Sequence, residues 1–101
     1  MPIYDALIDV DVSLYHVRHE AAAVHMADAW GRLTGSPGTA MVTAGPGFAN
    51  ALSAMYVARM AESPLVLISG QSSTAEAGLG AYQEMAQSHM AEPVTKASWT
   101  A

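Results

Sequence analysis

The sequence contains no cysteine, so it can build no disulfide framework, cysteine-ligated zinc finger or thiol nucleophile. Cations are nearly as scarce. Arg18, Arg32, Arg59 and Lys96 stand alone against nine acidic residues, for a net charge of −5. They are scattered, whereas electrostatic binding of nucleic acid needs clustered cations. No nucleic-acid partner is expected. No apolar run approaches the roughly 20 residues that cross a bilayer, and Met1-Pro2-Ile3-Tyr4-Asp5 lacks the basic and apolar regions of a signal peptide. The expectation is a cytoplasmic chain with no membrane partner. No G-x-S-x-G segment surrounds Ser13, Ser53, Ser69, Ser72 or Ser73, which leaves serine hydrolysis without support. Of His16, His19, His25 and His89, none has a second metal ligand at convincing spacing, so no metal site is expected on this chain.

What is present is apolar. Of 101 residues, 51% are hydrophobic and only 13% charged, enough for one domain with a buried core and too few charges to wet a whole surface. Part of that surface is expected to be covered by something else.

Strand-then-helix units recur along the chain. Leu14-Tyr15-His16-Val17 reads as a short strand. From Glu20 to about Thr34, Ala23, Met26, Ala27, Trp30 and Leu33 recur at helical spacing, with Asp28 and Arg32 paired four apart on the outer face. Gly35 is placed to close this helix in a left-handed conformation, ahead of Pro37. Thr39-Ala40-Met41-Val42-Thr43 is an apolar run of the kind buried on both faces of a sheet. It breaks at Gly45-Pro46-Gly47 and resumes as a helix with Phe48, Leu52, Met55, Tyr56 and Met60 on one side, ended by Ser63-Pro64. Leu65-Val66-Leu67-Ile68-Ser69 is the clearest buried strand. Residues 71–81 read as a loop, about 82–90 as a short helix, and Val94-Thr95-Lys96-Ala97 as a last strand. The alternation predicts an α/β fold, a parallel sheet flanked by helices on both faces. The short stretch Pro2 to Ile8 has no strand before it, and the last strand has no helix after it. Residues 1–101 therefore read as a partial domain truncated at both ends, its core completed by neighbouring chain or another subunit.

Glu20 falls at the first turn of a helix, on the carboxyl edge of a parallel sheet where ligands of open α/β folds bind. On position alone, a carboxylate favoured by the positive helix end is the better explanation, since acidic residues are common there. Ala21, Ala22, Ala23 and Val24 follow it and offer little solvation. Thr43-Ala44-Gly45-Pro46-Gly47 joins a buried strand to a helix, and its glycines suit either a tight turn or the close approach of an anion or flat ring. It is neither G-x-G-x-x-G nor a Walker loop. Gln83 and Glu84, beside Tyr82, follow a glycine-containing loop. An uncharged amide near a site orients a ligand through hydrogen bonds.

Taken in order, four segments resemble thiamine-diphosphate-dependent enzymes of the acetolactate synthase type. They are Val17-Arg18-His19-Glu20 with its helix to Gly35, Thr43 to Asn50 with its Gly-Pro-Gly-x-x-Asn pattern, Ser63 to Gly70, and Gly80-Ala81-Tyr82-Gln83-Glu84 with Glu92-Pro93-Val94-Thr95-Lys96. The resemblance spans nearly the whole chain and matches the pyrimidine-binding domain of that family. It implies that Glu20 hydrogen-bonds the aminopyrimidine ring of thiamine diphosphate, activating it by proton sharing. A carboxyl in apolar surroundings would suit this through a raised pKa. By the same resemblance Gln83 faces the substrate, while Gly45, Pro46, Gly47 and Asn50 shape the cofactor pocket.

The implied reaction is decarboxylation of a 2-oxo acid, with pyruvate the expected one, followed by transfer of the acyl unit. The implied partners are a 2-oxo acid and the diphosphate-binding domain of another subunit, in a homo-oligomer, dimer or tetramer. Mg2+ would be held by that other domain, because no Gly-Asp-Gly…Asn-Asn segment occurs here. The resemblance leaves FAD open. Ala21, Ala44 and Tyr82 stand where the family usually has Gln, Ser and Phe. Related segments occur in oxalyl-CoA decarboxylases, 2-hydroxyacyl-CoA lyases and sulfoacetaldehyde acetyltransferases, so these, and a non-catalytic fragment that kept the fold, are the alternatives. The chain alone is expected to be inactive.

Overall fold

The computed structural model describes residues 2–101. Helix α1 (Pro2–Leu7) is followed by α2 (Glu20–Thr34), β1 (Gly38–Val42), α3 (Pro46–Met60), β2 (Leu65–Ser69) and α4 (Gln87–Ala91), and a single 3-10 turn covers Glu92–Val94. The two strands pair in parallel, Gly38 opposite Leu65 and Val42 opposite Ser69. The α/β class and parallel pairing are as expected.

Helix α2 starts where the sequence placed it. His19 is the N-cap in extended conformation, and its ring nitrogen Nδ1 accepts the Ala21 N–H at 3.1 Å. Gly35 closes the helix at φ 70°, with its N–H donated to the Gly31 carbonyl at 2.9 Å. Helices α2 and α3 pack against one face of the sheet, around Val24, Ala27, Ala40, Ala51, Ala54 and Met55. The helix backbone comes so close to β1 that any side chain at Gly38 would strike the Ala27 carbonyl. On the other face, Ile3 and Tyr4 of α1 lie near Met41 and Ile68 at the carboxyl end of the strands. The remainder of that face is open, with Val66 46% and Ile68 40% exposed.

The buried stripes are not those the large residues suggested. On α2, Val24, Ala27, Asp28 and Gly31 are buried, while Met26, Trp30 and Leu33 are exposed. On α3, Phe48 and Met55 are buried as expected, with Ala51, Ala54 and Ala58, but Tyr56 and Met60 face outward. Small residues win because the helices approach each other more closely than large side chains allow. Asp28 therefore lies in the interior, not on the outer face. The Arg32 guanidinium spans it, with Nε 2.9 Å from Oδ1 and Nη2 2.6 Å from Oδ2. That charge-assisted pair holds the Asp28 carboxyl below its ordinary range.

Three expected elements differ. Leu14–Val17 is irregular and exposed, with no strand beside it to complete a backbone ladder. Residues 94–97 form no strand either. Pro93 sits in the 3-10 turn, Arg59 Nη1 donates to the Thr95 carbonyl at 2.7 Å, and Thr95 Oγ1 donates back to the Ala91 carbonyl at 2.8 Å. An open cleft of about 1220 Å³ lies between β2 and this tail, lined by Leu52, Met55, Leu67, Val94 and Trp99 among others. The third element is the short helix, which begins only at Gln87. Glu84 explains the delay: its carboxylate accepts N–H groups from Gly78, Gly80 and Ala81 and folds residues 78–84 into a turn. The same three bonds lower the Glu84 pKa.

Candidate cofactor site

The ends of α2, β1 and β2 meet at the carboxyl edge of the sheet. Glu20 is the first residue of α2 and is half-buried. Asn50, one turn into α3, donates through Nδ2 to Glu20 Oε2 at 3.1 Å. Gly47 completes the trio from the first turn of α3. A β-carbon there would lie 3.1 Å from Glu20 Oε1 and 2.5 Å from Thr43 Cγ2. Glycine thus keeps a side chain away from one carboxylate oxygen, while Asn50 binds the other. Three residues up to 30 positions apart converge on one carboxylate.

Simple capping of α2 by Glu20 does not account for this arrangement. His19 supplies the side-chain cap, and the Glu20 carboxylate takes its own backbone N–H and also binds Asn50 from the next helix. The expectation of a raised pKa is overturned. The Glu20 N–H and the Asn50 amide hold its carboxyl below the ordinary value of 4.5, outweighing the opposing effect of burial. In this chain the carboxylate is a charged hydrogen-bond acceptor for the Glu20 N–H and the Asn50 amide.

Gly45 and Pro46 serve the loop geometry. Gly45 caps α3 with φ 64° and ψ −117°, a conformation closed to residues with a side chain, and Pro46 opens the helix. Gln83 arrives from the far loop. Its own φ is 63°, and its backbone covers Gly45 so tightly that a β-carbon at 45 would lie 2.6 Å from the Gln83 carbonyl oxygen. Every expected site residue therefore lies in this corner, in two groups: Glu20, Gly47 and Asn50 around the carboxylate, and Gly45, Pro46 and Gln83 around the loop.

The sequence reading missed Gln87. It is 9% exposed, its Oε1 accepts the buried Gly45 N–H at 2.7 Å, and its Nε2 donates to the Gly70 carbonyl at 2.9 Å. Its one sequence signal is a second amide four residues after Gln83, which does not distinguish it from a solvent-facing residue. Among the described residues, no three His, Cys, Asp or Glu side chains converge as a metal site, and no helix is long and apolar enough to cross a membrane.

A carboxylate at a helix start on the carboxyl edge of a parallel sheet, oriented by Asn50 and kept clear of a side chain at Gly47, defines a class. Residues 1–90 match the family described as thiamine pyrophosphate enzyme, N-terminal TPP binding domain, and the chain belongs to that family. Among curated proteins it is 45% identical to 2-hydroxyacyl-CoA lyase 2 of Danio rerio over 95 residues, covering 94% of this chain and 15% of the relative. It is equally 45% identical to the acetolactate synthase isozyme 3 large subunit of Escherichia coli (strain K12) over 100 residues, 98% of this chain and 17% of the relative. The acetolactate synthase large subunit of Buchnera aphidicola subsp. Acyrthosiphon pisum is 42% identical over 100 residues, 98% of this chain and 18% of the relative. The chain spans less than a fifth of the length of each of these relatives.

Proposed function

We propose that this chain forms the pyrimidine side of a thiamine diphosphate site in an acetolactate-synthase-like enzyme. That enzyme decarboxylates a 2-oxo acid and transfers the acyl unit to an acceptor. The observation that carries the reading is the convergence of Glu20, Gly47 and Asn50. The residues fit the group: Asn50 orients the Glu20 carboxylate through Oε2, and glycine at 47 keeps a side chain away from Oε1, an oxygen with which a ring nitrogen can share a proton. The cofactor, when bound, supplies an electron sink for the pair left by decarboxylation. Glu20 holds the shared proton at Oε1. Asn50 fixes the direction of the carboxylate through Oε2. Gly45 and Pro46 set the loop, and Gln83 orients the substrate. In the free chain Glu20 is charged. Enclosure of the site by a second domain removes water and raises its pKa toward proton sharing.

In this reading a diphosphate-binding domain, with its Mg2+, comes from another subunit of a cytoplasmic homo-oligomer, a dimer or tetramer. The chain alone is inactive, since it supplies only this half. Replacing Glu20 by Gln in the full-length protein should slow exchange of the thiazolium proton, followed by NMR, by about a hundredfold or more. Exchange as fast as in the unmodified protein would refute the role of Glu20.

The equal identity to a 2-hydroxyacyl-CoA lyase and an acetolactate synthase favours a second reading, cleavage of a 2-hydroxyacyl-CoA thioester on the same site. Product analysis with pyruvate and with a 2-hydroxyacyl-CoA separates the two. Acetolactate-type condensation is expected, and thioester cleavage without it would replace the first reading by the second.

A further inference from the structure

We propose that Gln87 is a positioning residue whose side-chain amide sets the conformation of the Gly45-Pro46-Gly47 loop, and through it the fit of the pyrimidine ring. The inference rests on the cofactor site proposed above. The loop cannot hold its own shape. Gly45 lies at φ 64°, ψ −117° with no side-chain cap on the helix it begins, and this conformation is one that glycine can leave as readily as enter. Two contacts fix it from outside. Gln83, itself at positive φ, closes over the Gly45 α-carbon. Gln87 Oε1 accepts the Gly45 N–H at 2.7 Å, in the interior.

The amide is engaged at both ends. Its Oε1 also accepts from Ser69 Oγ at 3.3 Å, and its Nε2 donates to the Gly70 carbonyl at 2.9 Å. One side chain thus ties the start of α3 to the end of β2 and to the segment that carries Gln83. Losing it would leave the buried Gly45 N–H unpaired, and such a group recovers its bond only by moving toward water. Gly47 and Asn50 follow Gly45 in the same helix start, so a shift at Gly45 displaces the groups that face Glu20 Oε1 and Oε2. Gln87 reaches none of the Glu20, Gly47 or Asn50 contacts directly, and acts through the loop.

The test uses the full-length protein with Gln87→Met, which keeps length and removes the polar atoms, and Gln87→Glu, which keeps the acceptor. Backbone hydrogen exchange is followed by mass spectrometry in peptides covering residues 44–50, and thiamine diphosphate affinity by calorimetry. Gln87→Met should speed exchange of the loop about tenfold, the cost of one buried hydrogen bond, with β1 and β2 unchanged. It should weaken the cofactor by a similar factor. Gln87→Glu should keep loop exchange within about threefold of the unmodified protein, because its carboxylate still accepts the Gly45 N–H. Unchanged exchange in Gln87→Met, or equal loss in both variants, would overturn the assignment. So would faster exchange with unaltered cofactor affinity. If the unmodified protein binds no thiamine diphosphate, the cofactor reading fails, and with it the role of Gln87 in ring fit. The exchange result then still decides whether Gln87 holds the loop.

Discussion

The two faces of the small sheet differ although the same strands make both. Ala40 and Leu67 point toward α2 and α3 and join the core. Val66 and Ile68, one residue away, stand 46% and 40% exposed. The apolar run Leu65 to Ile68 asks for two covered faces, and within residues 2–101 mainly one is covered. Patterning of a strand reports the environment for which its residues are suited, which can extend beyond the segment that carries them. The relatives, more than five times as long, show how much more polypeptide can accompany such a unit.

The contrast can be broken by mutation, and the largest effect belongs to the covered side. Val24 is 0% exposed. Val24→Ala should cost about 2–3 kcal/mol in urea unfolding, from lost transfer energy and the cavity left behind. Next comes acidification, which separates the ion-paired interior from the apolar faces. Asp28, Glu20 and Glu84 all have pKa values lowered from 3.8, 4.5 and 4.5 respectively. A lowered native pKa means stability that is fully present above the unfolded value and lost as pH falls through the native one. The thermal midpoint should therefore be level near neutrality and fall below about pH 4.5. Asp28→Asn should flatten that fall, at a cost near neutrality of about 1 kcal/mol for the weakened Arg32 contact. A fall that begins above pH 6 would contradict the assignment. The smallest effect belongs to the open side. Ile68→Thr in the 101-residue chain should shift stability by no more than about 0.5 kcal/mol. In the full-length protein the same change should approach the cost of Val24→Ala, if neighbouring chain or another subunit completes the core on this face as the sequence leads one to expect. Equal small effects in both would leave the face open in the whole protein as well.

Much of the centre of the molecule was legible in the sequence. The helix over 20–34 and the strand over 65–69 coincide with the observed elements, and β1 is displaced by one residue, because periodicity, the Gly35 cap and the Gly-Pro-Gly break are local signals. The partners of Glu20 were legible only through the ordered motifs, since no local rule brings Asn50 to it. The flanks were not legible. Leu14–Val17 has strand composition but no neighbour, and strand structure is a property of pairs. The tail is held by Arg59, 36 residues away from Thr95, and the delayed start of α4 depends on where the Glu84 carboxylate reaches. Choosing the largest apolar residues as the core also misplaced the helix faces. Trp30 and Leu33 are bulky and exposed, whereas Ala51 and Ala54 are small and buried.

That alanine seam between α2 and α3 has a consequence for precision. An alanine has no side-chain rotamers to freeze on burial, and none to exchange afterwards. The spacing of the two helices is therefore set largely by backbone and methyl contact. Glu20 and Asn50 begin, or nearly begin, those two helices, so the gap between carboxylate and amide is gauged by a joint with almost no play.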